Sequence, residues 1–319
     1  MQTYIAKRLL QAIPVIILVT FCVYALELLL PGDPIISLVA SSTGQAVLDK
    51  QQIAGYRHEY GLDRPIPIQY ALWLEHALHG NFGNSVKTHR PVFREIKARL
   101  PATLQLGMAD FLISILVSFP AGIAAALWRN SPLDGLITAL AVSAVAIPSF
   151  WFGIMLILLF SVKLQVLPPS GYVSVLSDPI EGLRLLILPA FILGWEGVGA
   201  LTRFTRSAML EVLGQDYIRT ARAKGLATTR ILWLHALKNG LPPVVTIIGL
   251  RIGFILAGAV IVETIFAIPG IGRLFVDSIN TKDFPVVQAL VLLIALCTIG
   301  ASLLTDLAYA FLDPRIRFR

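Results

Sequence analysis

Charge is scarce in this chain: only 14% of its 319 residues are Asp, Glu, Lys or Arg. Soluble domains carry about 25%, and a mean hydropathy of +0.76 points the same way, so lipid is the solvent for most of the chain. Cysteine is nearly absent. Cys22 and Cys297 both lie inside apolar runs, which speaks against a disulfide framework and against a thiolate metal site. No G-x-x-x-x-G-K-[ST] phosphate loop, metal-ligand cluster or nucleophile constellation is written in the sequence. The chain is therefore expected to be no enzyme, to hold no cofactor of its own, and to depend on a partner for any ATP-derived energy. An internal repeat of the kind inverted-topology transporters carry is missing too.

What the sequence has is apolar length. Six stretches reach the roughly 20 residues that a span requires: about 9–30, 103–128, 136–162, 185–205, 242–264 and 287–311. The expected fold class is an all-α membrane protein with six transmembrane helices. The first run is too long for a signal-peptide core and no A-x-A site follows it, so it is expected to stay as a signal-anchor helix. The net charge of +7 does not point to nucleic acid, because the basic residues gather at the ends of apolar runs, as membrane orientation demands. Lys7, Arg8, Arg129, the cluster over 206–238, Arg315, Arg317 and Arg319 fall on one side. That side is the cytosol, and both termini are placed there.

The expected organisation is a transmembrane helix over 1–30, an extracytoplasmic insertion over 31–101, a transmembrane domain over 102–312 with a cytosolic loop at 206–241, and a cytosolic tail over 313–319. In the insertion, Pro31-Gly32-Asp33-Pro34 makes an exit turn, and 45–60 and 66–79 read as helices. Gly80-Asn81-Phe82-Gly83-Asn84-Ser85 forms a turn cluster, and a basic helix near 91–100, with Glu95, ends at Pro101. The insertion is either a passive cap or a docking surface, with Arg90 and Lys97 exposed on it.

Ionisable residues inside spans are costly and mark functional sites. Asp110 lies about 14 Å into the second span at 1.5 Å per residue. Thr103, Gly107, Asp110, Ser114, Ser118 and Ala121 recur at three- and four-residue spacing, a small polar stripe on one helix face. Arg251 sits at similar depth in the fifth span, turned about 200° from Gly249, which forms a close-packing pair with Gly253. Glu196 is central in the fourth span, between Gly194 and Gly199. Two readings stand: Arg251 pairs with Asp110 or Glu196 to lock helices, or Asp110, Ser114, Glu196 and Arg251 line a translocation path.

The most informative segment is 216–243, DYIRTARAKGLATTRILWLHALKNGLPP. Asp216 is expected as an N-cap and Gly225 as a left-handed stop after about two helical turns. Thr228 or Thr229 starts a second short helix that ends at Asn239-Gly240, before Pro242-Pro243. Positive charge accumulating inside explains the arginines, but neither the glycine stop nor the two-helix layout.

The order Arg219-Thr220-Ala221-Arg222-Ala223-Lys224-Gly225, then His235-Ala236-Leu237-Lys238-Asn239 and Leu241-Pro242-Pro243, resembles the "EAA" loop of ABC-importer permeases. Pro31-Gly32-Asp33-Pro34, Gly61-Leu62-Asp63 with Pro65, Gly80-x-Phe82-Gly83-x-Ser85, Arg90-Pro91-Val92 and Leu100-Pro101-Ala102-Thr103 resemble the dipeptide/oligopeptide/nickel permease family. So do Pro148-Ser149-Phe150-Trp151, Glu263-Thr264-Ile265-Phe266 with Pro269-Gly270-x-Gly272-Arg273, and Asp313-Pro314-Arg315-Ile316-Arg317. The resemblance covers nearly the whole chain and points to the "B"-type subunit.

It implies a MetI-like, type I ABC importer bundle in the inner membrane, with a cytosolic coupling helix. The ATPase-coupling residues it implies are Asp216, Tyr217, Arg219, Thr220, Ala221, Arg222, Ala223, Lys224, Gly225 and His235. The implied partners are a paralogous permease subunit, two ABC ATPase subunits or domains that hold ATP and magnesium, and an extracytoplasmic substrate-binding protein. Peptides or similar small zwitterionic solutes are the implied cargo, with metal chelates or opine-like solutes as the alternative. The rival from another class is an ATPase-independent secondary transporter. Glu263 and Asp306 match family positions near span ends and read as structural caps. Three positions depart from the family: the acidic first letter of the loop motif is missing, Asn81 stands where Asp is usual, and Arg251 stands where a neutral residue is usual.

Overall fold

The computed structural model describes residues 2–29, 55 and 63–312. The expected exit turn at 31–34, helix at 45–60, Gly61-Leu62 and tail at 313–319 lie outside the described residues. Among those described, the regular elements are helices, with one isolated antiparallel bridge between Asn84 and Pro91. In chain order they are α1 (Gln2–Leu29), α2 (Ile66–Leu78), α3 (Val92–Leu127), α4 (Pro132–Ala146), α5 (Ser149–Leu156) and a π-helical turn (Ile157–Lys163). Then come α6 (Pro179–Leu213), α7 (Asp216–Ala223), α8 (Thr228–Ile231) and a second π-helical turn (Leu232–Ala236). The series closes with α9 (Leu237–Gly258), α10 (Val260–Ile265), α11 (Ile271–Asn280) and α12 (Phe284–Leu312).

Four of these helices are long and apolar enough to cross a membrane, and five if α4 with the segment Ser149–Lys163 counts as one span. The expected third span, 136–162, is thus not one helix but a pair bent by 106°. Pro148 is the cause. The residue before a proline is driven out of the helical region, and Ile147 is extended at φ −84, ψ 123. The fifth span expected from sequence, about 242–264, falls on α9 and α10.

Other prolines do not end their helices. The basic helix near 91–100 runs through Pro101 as part of α3. Proline removes one backbone donor, leaving the carbonyl four residues earlier unbonded. That carbonyl belongs to exposed Lys97, which is open to solvent. The second short helix likewise continues past Asn239-Gly240 and through Pro242-Pro243 as α9. The carbonyls freed there belong to exposed Lys238 and Asn239.

The chain divides into two compact units, one of Ala102–Ile268 with the chain from Thr298 on, the other of Gln2–Pro101 with Pro269–Cys297. In the first, a core of Leu106, Leu186, Leu188, Ile192, Val262, Phe266 and Ile268 joins α3, α6 and α10. Helix α6 is its centre. A Cβ on Gly197 would stand 2.3 Å from Ser114 Oγ of α3, and one on Gly199 would stand 2.5 Å from the Ala141 carbonyl of α4. No side chain fits in such gaps, so these glycines are what lets both neighbours approach. The pair Arg206–Asp134, with bonds of 2.6 and 2.8 Å, then ties α6 to α4.

In the second unit, Phe21 and Tyr24 of α1 pack edge-on against Tyr70 of α2, whose hydroxyl shares a 2.8 Å hydrogen bond with Thr20. The turn cluster at 80–85 leads into a loop anchored by Asp283. That buried carboxylate accepts hydrogen bonds from the Ser85 hydroxyl and the backbone N–H of Val86 and Lys87. Val92, Ile96, Ile271, Leu274, Val286 and Leu290 form the core beneath.

Candidate functional site

Two arrangements in the first unit carry the chemistry that the sequence singled out. One is the short basic helix α7. It lasts eight residues and stops where Lys224 leaves the helical region and Gly225 takes φ +77, the left-handed conformation expected of it. Asp216 is not the N-cap. Gln215 holds that position without a side-chain cap bond, and Asp216 is the first helical residue. Aspartate is favoured there as well, since the helix N-terminus carries partial positive charge. Its carboxylate accepts instead from Arg219 at 3.2 Å, an exposed pair of little energetic weight.

Helix α7 has two distinct faces. Ile218 and Ala221 are buried with Ile231 of α8, against Leu213 and Leu226. Tyr217, Arg219, Thr220, Arg222, Ala223, Lys224 and Gly225 are exposed. Arg222, Lys224 and neighbouring Arg230 pair with no carboxylate among the described residues. Half-buried His235 lies in the second π-helical turn, and its carbonyl accepts from Asn239 at 2.9 Å. Asn239 also donates to the Tyr217 hydroxyl at 3.1 Å, fastening the start of α7 to α9.

The second arrangement lies within the spans. Arg251 of α9 donates to Asp110 Oδ1 at 2.8 Å and to the Leu193 carbonyl at 3.4 Å. Ser114 donates to the same Asp110 oxygen at 3.1 Å. The guanidinium carbon of Arg251 would be 2.4 Å from a Cβ on Gly197, so that glycine opens its berth. Gly249 faces the opposite way, against Thr305 of α12, where a Cβ would collide with the hydroxyl. Asp110, Ser114 and Arg251 are therefore brought together, while Glu196 is not. It is exposed on α6, with no hydrogen bond or ion pair among the described residues.

Below Ser114 the polar stripe of α3 continues to Ser118, whose buried hydroxyl has no partner among the described residues, as is true of Thr202 and Thr205 on α6. Above Asp110, Thr103 donates to the fully buried carboxylate of Glu263 at 2.6 Å. Glu263 thus binds a neighbouring helix. Sequence reasoning missed two further carboxylates. Asp134 carried a local signal, since Ser131-Pro132-Leu133-Asp134 has the spacing of a capped first turn, and Asp134 N–H does donate to Ser131 Oγ at 3.3 Å. Asp283 carried none, because its partners lie almost 200 residues earlier.

The family described as the binding-protein-dependent transport system inner membrane component matches residues 118–318, and its N-terminal counterpart matches residues 1–107. The dipeptide transport system permease protein DppB of Escherichia coli (strain K12) is 40% identical over 342 residues, covering 100% of both chains. The di/tripeptide transport system permease protein DppB of Pseudomonas aeruginosa (strain UCBPP-PA14) is 40% identical over 337 residues, covering 99% of each. In fold, a chain of the inward-facing methionine ABC transporter MetNI superposes with a TM-score of 0.56 at 15% identity, over 69% of this chain and 97% of that one. A helical bundle of the ABC-importer permease type, matched by the family across both of its parts, leaves one conclusion: this chain belongs to the binding-protein-dependent transport system inner membrane components.

Proposed function

We propose that the chain forms half of the translocation pathway of an ATP-driven importer of peptides or similar small zwitterionic solutes, with both termini in the cytosol. A paralogous permease subunit supplies the other half. Two ABC ATPase subunits or domains bind ATP and magnesium and grip α7, and an extracytoplasmic binding protein delivers the cargo, with the 31–101 region as its docking surface. The observation that carries this reading is the division of α7 into an anchored face and an exposed basic face. A partner that moves α7 moves a body bonded to the ends of α6 and α9, so closure of the ATPases biases the bundle between two access states. Asp110, Ser114, Glu196 and Arg251 line the path. Peptide cargo is supported by the names of the full-length relatives.

The test is uptake of a labelled dipeptide by the complete complex in proteoliposomes. ATP-dependent uptake that is lost on charge reversal of Arg222 and Lys224, with the complex still in the membrane, is the expected result. Uptake that proceeds without the ATPases would replace this reading with secondary transport.

A further inference from the structure

Helix α6 leaves Leu183, Ile187, Phe191 and Phe204 exposed, and it carries one exposed polar stripe as well. Glu196, Ala200, Arg203 and Ser207 follow one another by four, three and four residues, which stacks them on one helical face. Glu196, Arg203 and Ser207 are exposed and Ala200 half-buried. Arg203 and Glu196 make no ion pair or hydrogen bond among the described residues. Facing lipid, the mid-span carboxylate of Glu196 would be penalised, because an ionised side chain at the bilayer centre costs at least about 2.5–3.5 kcal/mol. A polar stripe running from mid-span towards the helix end fits a wetted wall.

Glu196 is its innermost charge. Arg251, which lies at similar depth, is already taken by Asp110. Asp110, Glu196 and Arg251 together leave one negative charge uncompensated. Its chain neighbours are Trp195, whose indole N–H has no partner among the described residues, and Gly197, which is packed against Ser114 and Arg251. Arg203 stands two turns further on, about 10.5 Å along the axis, so the stripe presents opposite charges in sequence along the path.

Resting on the peptide-import reading above, we propose that Glu196 is the specificity-determining residue that receives the cargo's positively charged end, the protonated amino terminus of a peptide. Its free carboxylate matches an ammonium group, and the direction of the stripe sends the carboxyl terminus towards Arg203. Glu196 then selects for a free amino group within the membrane, after the binding protein has made its own selection.

The test uses the complete transporter in proteoliposomes, with labelled Ala-Ala as probe. Glu196→Gln is expected to lower uptake by roughly ten-fold or more, the loss of one charged hydrogen bond, with the complex recovered at wild-type yield. Glu196→Asp should keep a larger share of the rate. With Cys22 and Cys297 replaced by serine, the thiol of the Glu196→Cys variant should react with a water-soluble cationic thiol reagent in the assembled complex. Wild-type uptake by Glu196→Gln overturns the proposal. So does failed assembly or an unreactive thiol, since Glu196 would then be covered by a partner subunit. Absence of Ala-Ala uptake by the unaltered transporter is a different failure, that of the peptide-import reading itself.

Discussion

Arg251 and Asp110 meet at 2.8 Å, with side chains 20% and 9% exposed. The pair joins α9 to α3, and Ser114 completes it from one turn below Asp110. The charge of Arg251 is thus compensated inside this same chain. Asp110 takes the guanidinium, and Glu196, the other carboxylate within reach by depth, is left unpaired.

Removing one member should be worse than removing both. Arg251→Gln leaves a buried carboxylate without its cation, which costs about 3 kcal/mol or more in comparable cases. The double variant Arg251→Gln with Asp110→Asn should recover much of that loss, because no unpaired charge remains. Thermal unfolding of the purified complex reads both effects. A double variant as unstable as the sum of the singles would show that the two residues do not act as a pair.

Gly197 should tolerate no side chain. A methyl there meets Ser114 Oγ at 2.3 Å and the Arg251 guanidinium at 2.4 Å. Gly197→Ala must push Arg251 from Asp110 or separate α3 from α6, with an overpacking cost of about 1–3 kcal/mol. Combining Gly197→Ala with Arg251→Gln frees part of the space, so the second change should cost less in that background than alone. Additive losses in a thermal melt would contradict the contact.

Much of this was legible from local patterns, and the failures share a cause. Gly225 announced its positive φ because only a residue without Cβ takes that conformation freely. Proline was read as a stop at 101 and at 242–243, yet the helix continues through both, and the chain breaks instead at 148. The residue name carries the lost donor. Whether the residue with the freed carbonyl is open to solvent, as Lys97 and Lys238 are, depends on surroundings that sequence does not display. Asp216 was misplaced by one residue because aspartate suits both the cap and the first turn. Depth along a span placed Asp110, Glu196 and Arg251 together, but the choice of partner depends on helix rotation, which Gly197 and Thr305 settle through contacts far apart in sequence.

Asp283 should prove to be the anchor of the loop over 85–90. With Ser85, Val86 and Lys87 all bonded to one buried carboxylate, Asp283→Ala leaves two backbone N–H groups to find new partners, at about 1–3 kcal/mol each if they stay buried. Trypsin should then cut faster after Lys87, while Ser85→Ala should have a smaller effect. Equal cleavage of wild type and Asp283→Ala would remove the anchoring role. Separately, reversing charge at Arg90 and Lys97 should weaken stimulation of ATPase by loaded binding protein, most at low salt.

The sharpest test of α7 is Gly225→Val. A Cβ at this position meets nothing within 4 Å, so crowding cannot explain a defect. What remains is backbone: φ is +77, and a β-branched residue held there costs about 1–2 kcal/mol, enough to move the end of α7 into an ordinary helical continuation. The chain should still insert and assemble, since Ile218, Ala221 and Ile231 stay packed. Transport should collapse, because the exposed arginines no longer meet the ATPase at the right angle. Gly225→Asn is the control. Asparagine takes positive φ far more readily, so it should restore much of the uptake at equal expression. Full uptake in Gly225→Val would mean that the left-handed stop is dispensable and that coupling does not pass through α7. Equal loss in the valine and asparagine variants would instead point to the surface that Gly225 leaves bare as the feature the partner needs.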